Sequence, residues 1–133
     1  MLTNHEVDDA IVAHCIWGQR LRDAIDTGTF DLSPGDVIKD DACTFGHWLY
    51  GDSIPEAAKA LPSYTEIITI HAQFHECAAG IVDLALRGKK HEALERMAIT
   101  SDYATLSIML TQCLRKWQKD VEEFSGPAFL TCP

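Results

Sequence analysis

Hydrophobic positions recur along this chain in alternating steps of four and three, the spacing that gathers on one face of an α-helix. Between Glu6 and Asp26 the stripe runs Val7, Ile11, His14, Gly18, Leu21 and Ile25, and Gly28 is placed to stop the helix. The stretch TFDLSPGDVIKDD that follows is rich in turn formers and predicts an ordered loop. Asp40 or Asp41 is positioned to cap a short helix through ACTFGHWLYG, closed by Gly51. SIPEAAKALPSY, with two prolines, reads as a connector. Ser63 and Glu66 have capping-box spacing and predict the start of a third helix. Its stripe is Tyr64, Ile68, His71, His75, Ala78, Val82 and Ala85, and Gly88 ends it. A last helical region runs from about Lys90 to Phe124 on Leu106, Leu110, Cys113, Trp117, Val121 and Phe124. Thr100, Ser101 and Asp102 leave open whether it is one helix or two. The final SGPAFLTCP is expected as a loose tail over 125–133.

No segment alternates with period two for long enough to predict a strand. The expectation is an all-α fold: a four-helix bundle of three long helices and one short one. A chain of 133 residues suits a single domain over 1–133, with a core at about 5–124. The net charge of -9 repels phosphate backbones and anionic lipid, which argues against nucleic acid or a membrane surface as partner. No apolar run approaches the roughly 18–20 residues that cross a bilayer, so membrane insertion is not expected. MLTNHEVDDA lacks the pattern of a signal peptide, and the expected location is the cytoplasm. The five cysteines are odd in number and contain no CxxC pair, which favours free thiols or metal ligands over disulfides.

The chemistry lies in the stripes themselves. Three of the six histidines, His14, His71 and His75, occupy positions where a helix normally buries an aliphatic residue. A buried imidazole needs a partner. His71 and His75, four apart, project from one helix face about 5–6 Å apart at Cβ, a separation that lets both rings converge on one ion. Cys43, at the first turn of the short helix, adds a thiolate that the helix dipole favours. Three imidazoles and one sulfur fill a tetrahedral shell of the kind that selects zinc. Hydrogen bonding of separate half-buried histidines to backbone or carboxylates is the simpler alternative. His5 and His91 fall among polar residues and are expected at the surface; His47 is either a surface group or a donor to the site. Cys15, Cys77 and Cys113 are expected as small core residues, and Trp17, Trp48 and Trp117 as core aromatics. Trp17, Gly46 and Trp48 are the residues expected to pack around the site.

HCIW at 14–17, CTFGHWLYG at 43–51, HAQFH at 71–75 and the long helical segment after GKK at 88–90 occur in an order that resembles the chemoreceptor zinc-binding (CZB) domain family of bacterial sensory modules. The resemblance covers roughly residues 5 to 124. It implies a zinc ion held by His14, Cys43, His71 and His75, a four-helix bundle and a homodimer. It also implies sensing of zinc, of hypochlorous acid through Cys43, or of both. Members of the family are attached to chemoreceptor signalling regions or diguanylate cyclases. This chain has no room for either, so the expectation is that it regulates a separate partner of one of those types, or that it is a sensor module cut from, or evolved without, an output domain.

A closed four-ligand shell leaves no water to activate, and no nucleotide loop or nucleophile motif is present, so an enzyme is not expected. Two other readings remain open. One is a hemerythrin-like or di-iron bundle, suggested by the HxxxE pair His91 and Glu95, although no carboxylate lies on the third stripe. The other is a metal-free helical interaction module.

Overall fold

In a computed structural model, which describes the backbone of residues 4–131 and side chains over 5–123, the periodic segments fold as helices. The first long helix, α1, is Asn4–Thr27; the others are α5, Pro62–Leu86, and α7, Asp102–Thr131. Four short helices complete the described residues: α2 (Pro34–Val37), α3 (Thr44–Leu49), α4 (Glu56–Lys59) and α6 (Lys90–Glu95). The fold is all-α, a helical bundle with no strand among the described residues. Gly28 and Gly88 both terminate helices at positive φ, +72° and +75°, as expected of their place in the stripes.

Several starts and stops differ from the sequence expectation. Cys43 itself caps α3: its Sγ accepts from the Gly46 amide at 3.2 Å, in place of Asp40 or Asp41. α5 begins at Pro62, with Leu61 as its cap residue, so Ser63 lies inside the first turn with its hydroxyl buried and without a hydrogen bond. Proline at the first helical position pre-sets φ and removes one orphan N–H, which outweighs the capping-box pattern. The expected loop holds α2, opened by a Ser33–Asp36 capping box, and the connector holds α4. The last region is two helices, parted where the Ser101 hydroxyl accepts from the Ala104 amide. α7 runs on to Thr131, into the segment expected as a tail; the tail's side chains, and Cys132 entirely, lie outside the described residues.

α5 is the spine, packed by α1, α2, α6 and α7. The pairs Tyr64–Trp117 and Phe74–Tyr103 set α7 antiparallel to it. The core falls into two apolar clusters. One contains Val7, Ala10, Phe45, Leu49, Ile67, Leu110, Leu114 and Trp117. The other contains Trp17, Leu21, Ala24, Phe74, Ala78, Val82 and Tyr103. Each Val, Leu, Ile or Phe side chain buried in them contributes about 1.5–3 kcal/mol. Along α1, His14 separates Ala10 of the first cluster from Trp17 of the second; along α5, His71 and His75 occupy the same level. A polar layer therefore crosses the bundle, and Cys43 packs against both clusters beside it. No helix among the described residues is long and apolar enough to cross a membrane.

Candidate metal centre

His71 and His75 reach the interior because α5 presents them on its buried face, where they are 2% and 1% exposed. Cys43 arrives from the other side because its capping bond fixes its sulfur at the N-terminus of α3. Gly46 makes that approach possible: a Cβ there would lie 2.0 Å from the Asp40 carbonyl oxygen. Three donor atoms meet. The two Nε2 atoms are 3.0 Å apart, and Cys43 Sγ lies 3.6 Å from that of His71 and 3.4 Å from that of His75. Tetrahedral zinc with its usual bond lengths implies edges of about 3.4 Å between nitrogens and about 3.6 Å between nitrogen and sulfur. The triangle present is close to one face of such a shell.

The protonation pattern suits the same use. His75 Nδ1–H donates to the Val37 carbonyl oxygen at 2.7 Å, which places the proton on Nδ1 and leaves Nε2 with a free lone pair toward the cluster. His71 Nδ1 is buried without a hydrogen-bond partner. Burial, and then the neighbouring His75, lower the His71 pKa to about 3. Burial also lowers His75, opposed by its bond to Val37. Burial pushes the Cys43 thiol up, against the backbone N–H of Gly46, which favours the thiolate. Neutral imidazoles are ready to coordinate, and a thiol that coordinates a metal releases its proton to solvent.

His14 is also buried, and burial followed by His75 lowers its pKa to about 4. It does not join the triangle. The group whose donor atoms all lie within 4.8 Å of one another is Cys43, His71 and His75. His14 Nε2 instead meets Ser107 Oγ at 2.8 Å, and its ring stands edge-on to Phe74. Of the residues expected to pack around the site, Trp17 sits edge-on to His75 at 5.4 Å between centroids, and Gly46 donates to the sulfur. Trp48 is one layer removed, against Phe45 and Trp117. Phe45, 4.5 Å from the His71 ring, is the aromatic that closes the site on that side. His47 is exposed, as are His5 and His91, which pair with Asp9 and Glu95. Cys15 is exposed rather than in the core, because it stands one position off the His14 stripe; Cys77 and Cys113 are only half-buried.

Neutral buried histidines make the metal-free fold sensitive to acid. The folded values of about 4 and about 3 lie below the ordinary 6.5, so the unfolded chain binds more protons between these limits. Stability is therefore fully present above pH 6.5 and is lost as pH falls through that value toward about 4 for His14 and about 3 for His71. Melting of chelator-treated protein is expected to move to lower temperature between about pH 7 and pH 5, through the unperturbed histidine range. A flat melting temperature over that interval contradicts the assignment.

A sulfur and two imidazoles in a buried helical layer form a group that could hold a metal ion, and that donor set suits zinc. A family model described as the chemoreceptor zinc-binding domain matches residues 14–82, more than half of the chain, a span that begins on His14 and includes Cys43, His71 and His75. The chain belongs to the chemoreceptor zinc-binding domain family. No curated protein and no solved structure matches it.

Proposed function

We propose that this chain is a regulatory module that holds one zinc ion through Cys43, His71 and His75, with His14 as fourth ligand, and passes a zinc or oxidant signal to a separate signalling protein. The observation that carries the reading is the buried triangle of one sulfur and two imidazole nitrogens, 3.0–3.6 Å apart. Zinc, when bound, supplies a closed coordination shell with no position for a reacting water. The protein residues do the rest: Val37 holds the tautomer of His75, Gly46 orients the sulfur, and Phe45 and Trp17 pack against the rings of His71 and His75. Holding α3 against α5 through Cys43 makes the position of α3 depend on the state of the site.

Cys43 is the more accessible member of the triangle. A cleft of about 370 Å³, walled by Ile16, Trp17, Leu32, Val37 and Phe45, reaches Cys43 and His75 from the surface. Hypochlorous acid entering there takes two electrons from the sulfur; chloride leaves and the sulfur becomes a sulfenic acid, a poorer ligand. The output is proposed to be a chemoreceptor or a diguanylate cyclase, contacted by a homodimer of this module in the cytoplasm. Exposed Val12 and Ile16 on α1 and Ile108 and Met109 on α7 support the reading by offering apolar surface to a second copy or a partner. The test of the redox arm is titration with hypochlorous acid while zinc release is followed with a chromophoric chelator. The wild type is expected to release zinc near one equivalent and Cys43→Ser, loaded to the same occupancy, to need several-fold more. Equal release by both removes Cys43 as the redox trigger and leaves zinc occupancy as the signal.

A further inference from the structure

The polar layer draws side chains from four helices, not three. His14 comes from α1, Cys43 from the start of α3, His71 and His75 from α5, and Ser107 from α7. Ser107 is half-buried and lies between Tyr103 of one apolar cluster and Leu110 of the other, the same level at which the histidines interrupt α1 and α5. Its hydroxyl meets His14 Nε2 at 2.8 Å, joining residues 93 apart in sequence. Neither ring nitrogen of His14 belongs to the group of donor atoms within 4.8 Å of one another. The ring must therefore swing off Ser107 before it can enter a shared coordination shell.

We propose that Ser107 is the resting partner of His14 and competes with the metal for it. Metal capture then exchanges a hydrogen bond between α1 and α7 for a link between α1 and the α3–α5 pair, so the state of the site is written onto α7. The physical basis is the cost of a buried imidazole with no partner. His14 is 4% exposed, and Ser107 supplies the partner that its distance from the triangle withholds. The Asp8–Arg115 ion pair, 2.7 Å, ties the same two helices farther along their surface. The exchange therefore alters α7 near Ser107 while the helices stay together. This inference rests on the zinc reading above and adds to it a position outside the ligand set.

The test compares zinc affinity of the wild type, Ser107→Ala and Ser107→Thr by competition with a chromophoric chelator. Ser107→Ala removes the competing bond and leaves the metal-free His14 unpartnered, so zinc is expected to bind roughly 3- to 10-fold more tightly, the size of one hydrogen bond. Ser107→Thr keeps a hydroxyl and is expected near wild type. In a His14→Ala background, Ser107→Ala is expected to change nothing, because the competition has lost its object. Unchanged or weaker binding by Ser107→Ala alone overturns the inference, and so does a full effect in the absence of His14. Both results leave the zinc reading intact. A wild type that takes up no zinc overturns that reading itself, which keeps the two failures distinct.

Discussion

Replacing His75 with alanine is expected to weaken zinc binding by about 100-fold or more. Structural zinc sites bind with about 10–16 kcal/mol, and division among three or four ligands leaves roughly 3 kcal/mol for each, or about two powers of ten. His75 carries the most structure of the set. Its Nε2 lies within 3.4 Å of both other donors, and its Nδ1–H is fixed on the Val37 carbonyl oxygen, so removal takes a ligand and loosens α2 together. His71→Ala is expected to come close to the same loss. His47→Ala, at an exposed position one helical turn from Cys43, is expected to bind zinc as the wild type does and serves as the control. Chelator competition measures all three; His75→Ala binding within threefold of wild type contradicts the site.

The second large effect is on stability. Stripping the metal is expected to lower the melting temperature by roughly 10–15 °C, since a ligand present at about a thousand times its Kd stabilises by about 4 kcal/mol and each kcal/mol moves a domain of this size by about 3–4 °C. The structural reason is local. Without an ion, three uncharged donors face one another at 3.0–3.6 Å, and a buried layer that divides two apolar clusters is left without its cross-link. Re-addition of zinc is expected to restore the transition. An unchanged melting temperature after metal removal verified by elemental analysis places the stability of the bundle elsewhere, in Trp117, Leu21, Phe74 and their neighbours.

The stripes place His14, His71 and His75 on buried faces because helical periodicity is a property of one segment at a time, and each segment is long enough to display it. The pairing of His71 with His75 follows from a spacing of four. Cys43 as the cap of α3 does not follow, because capping preferences are built on oxygen acceptors and sulfur is a weak one. Two aspartates just upstream draw the expectation away. The short helices α2 and α4 span four residues each, too few to show a period, and sit in segments whose prolines and glycines mark turns. The Val37 carbonyl and the Ser107 hydroxyl are invisible for a different reason. One is backbone, present at every residue, and the other pairs with a ring 93 positions away through tertiary packing alone. The departure of His14 from the triangle belongs to the same class: the stripe says that it is buried, and nothing local says toward what.

Mass spectrometry of the zinc-supplemented chain under non-denaturing conditions tests the central claim most directly. A mass increment of one zinc ion per chain is expected for the wild type and none for the Cys43→Ala His75→Ala double variant. A wild type that flies as the bare polypeptide, or a double variant that keeps its zinc, contradicts that claim.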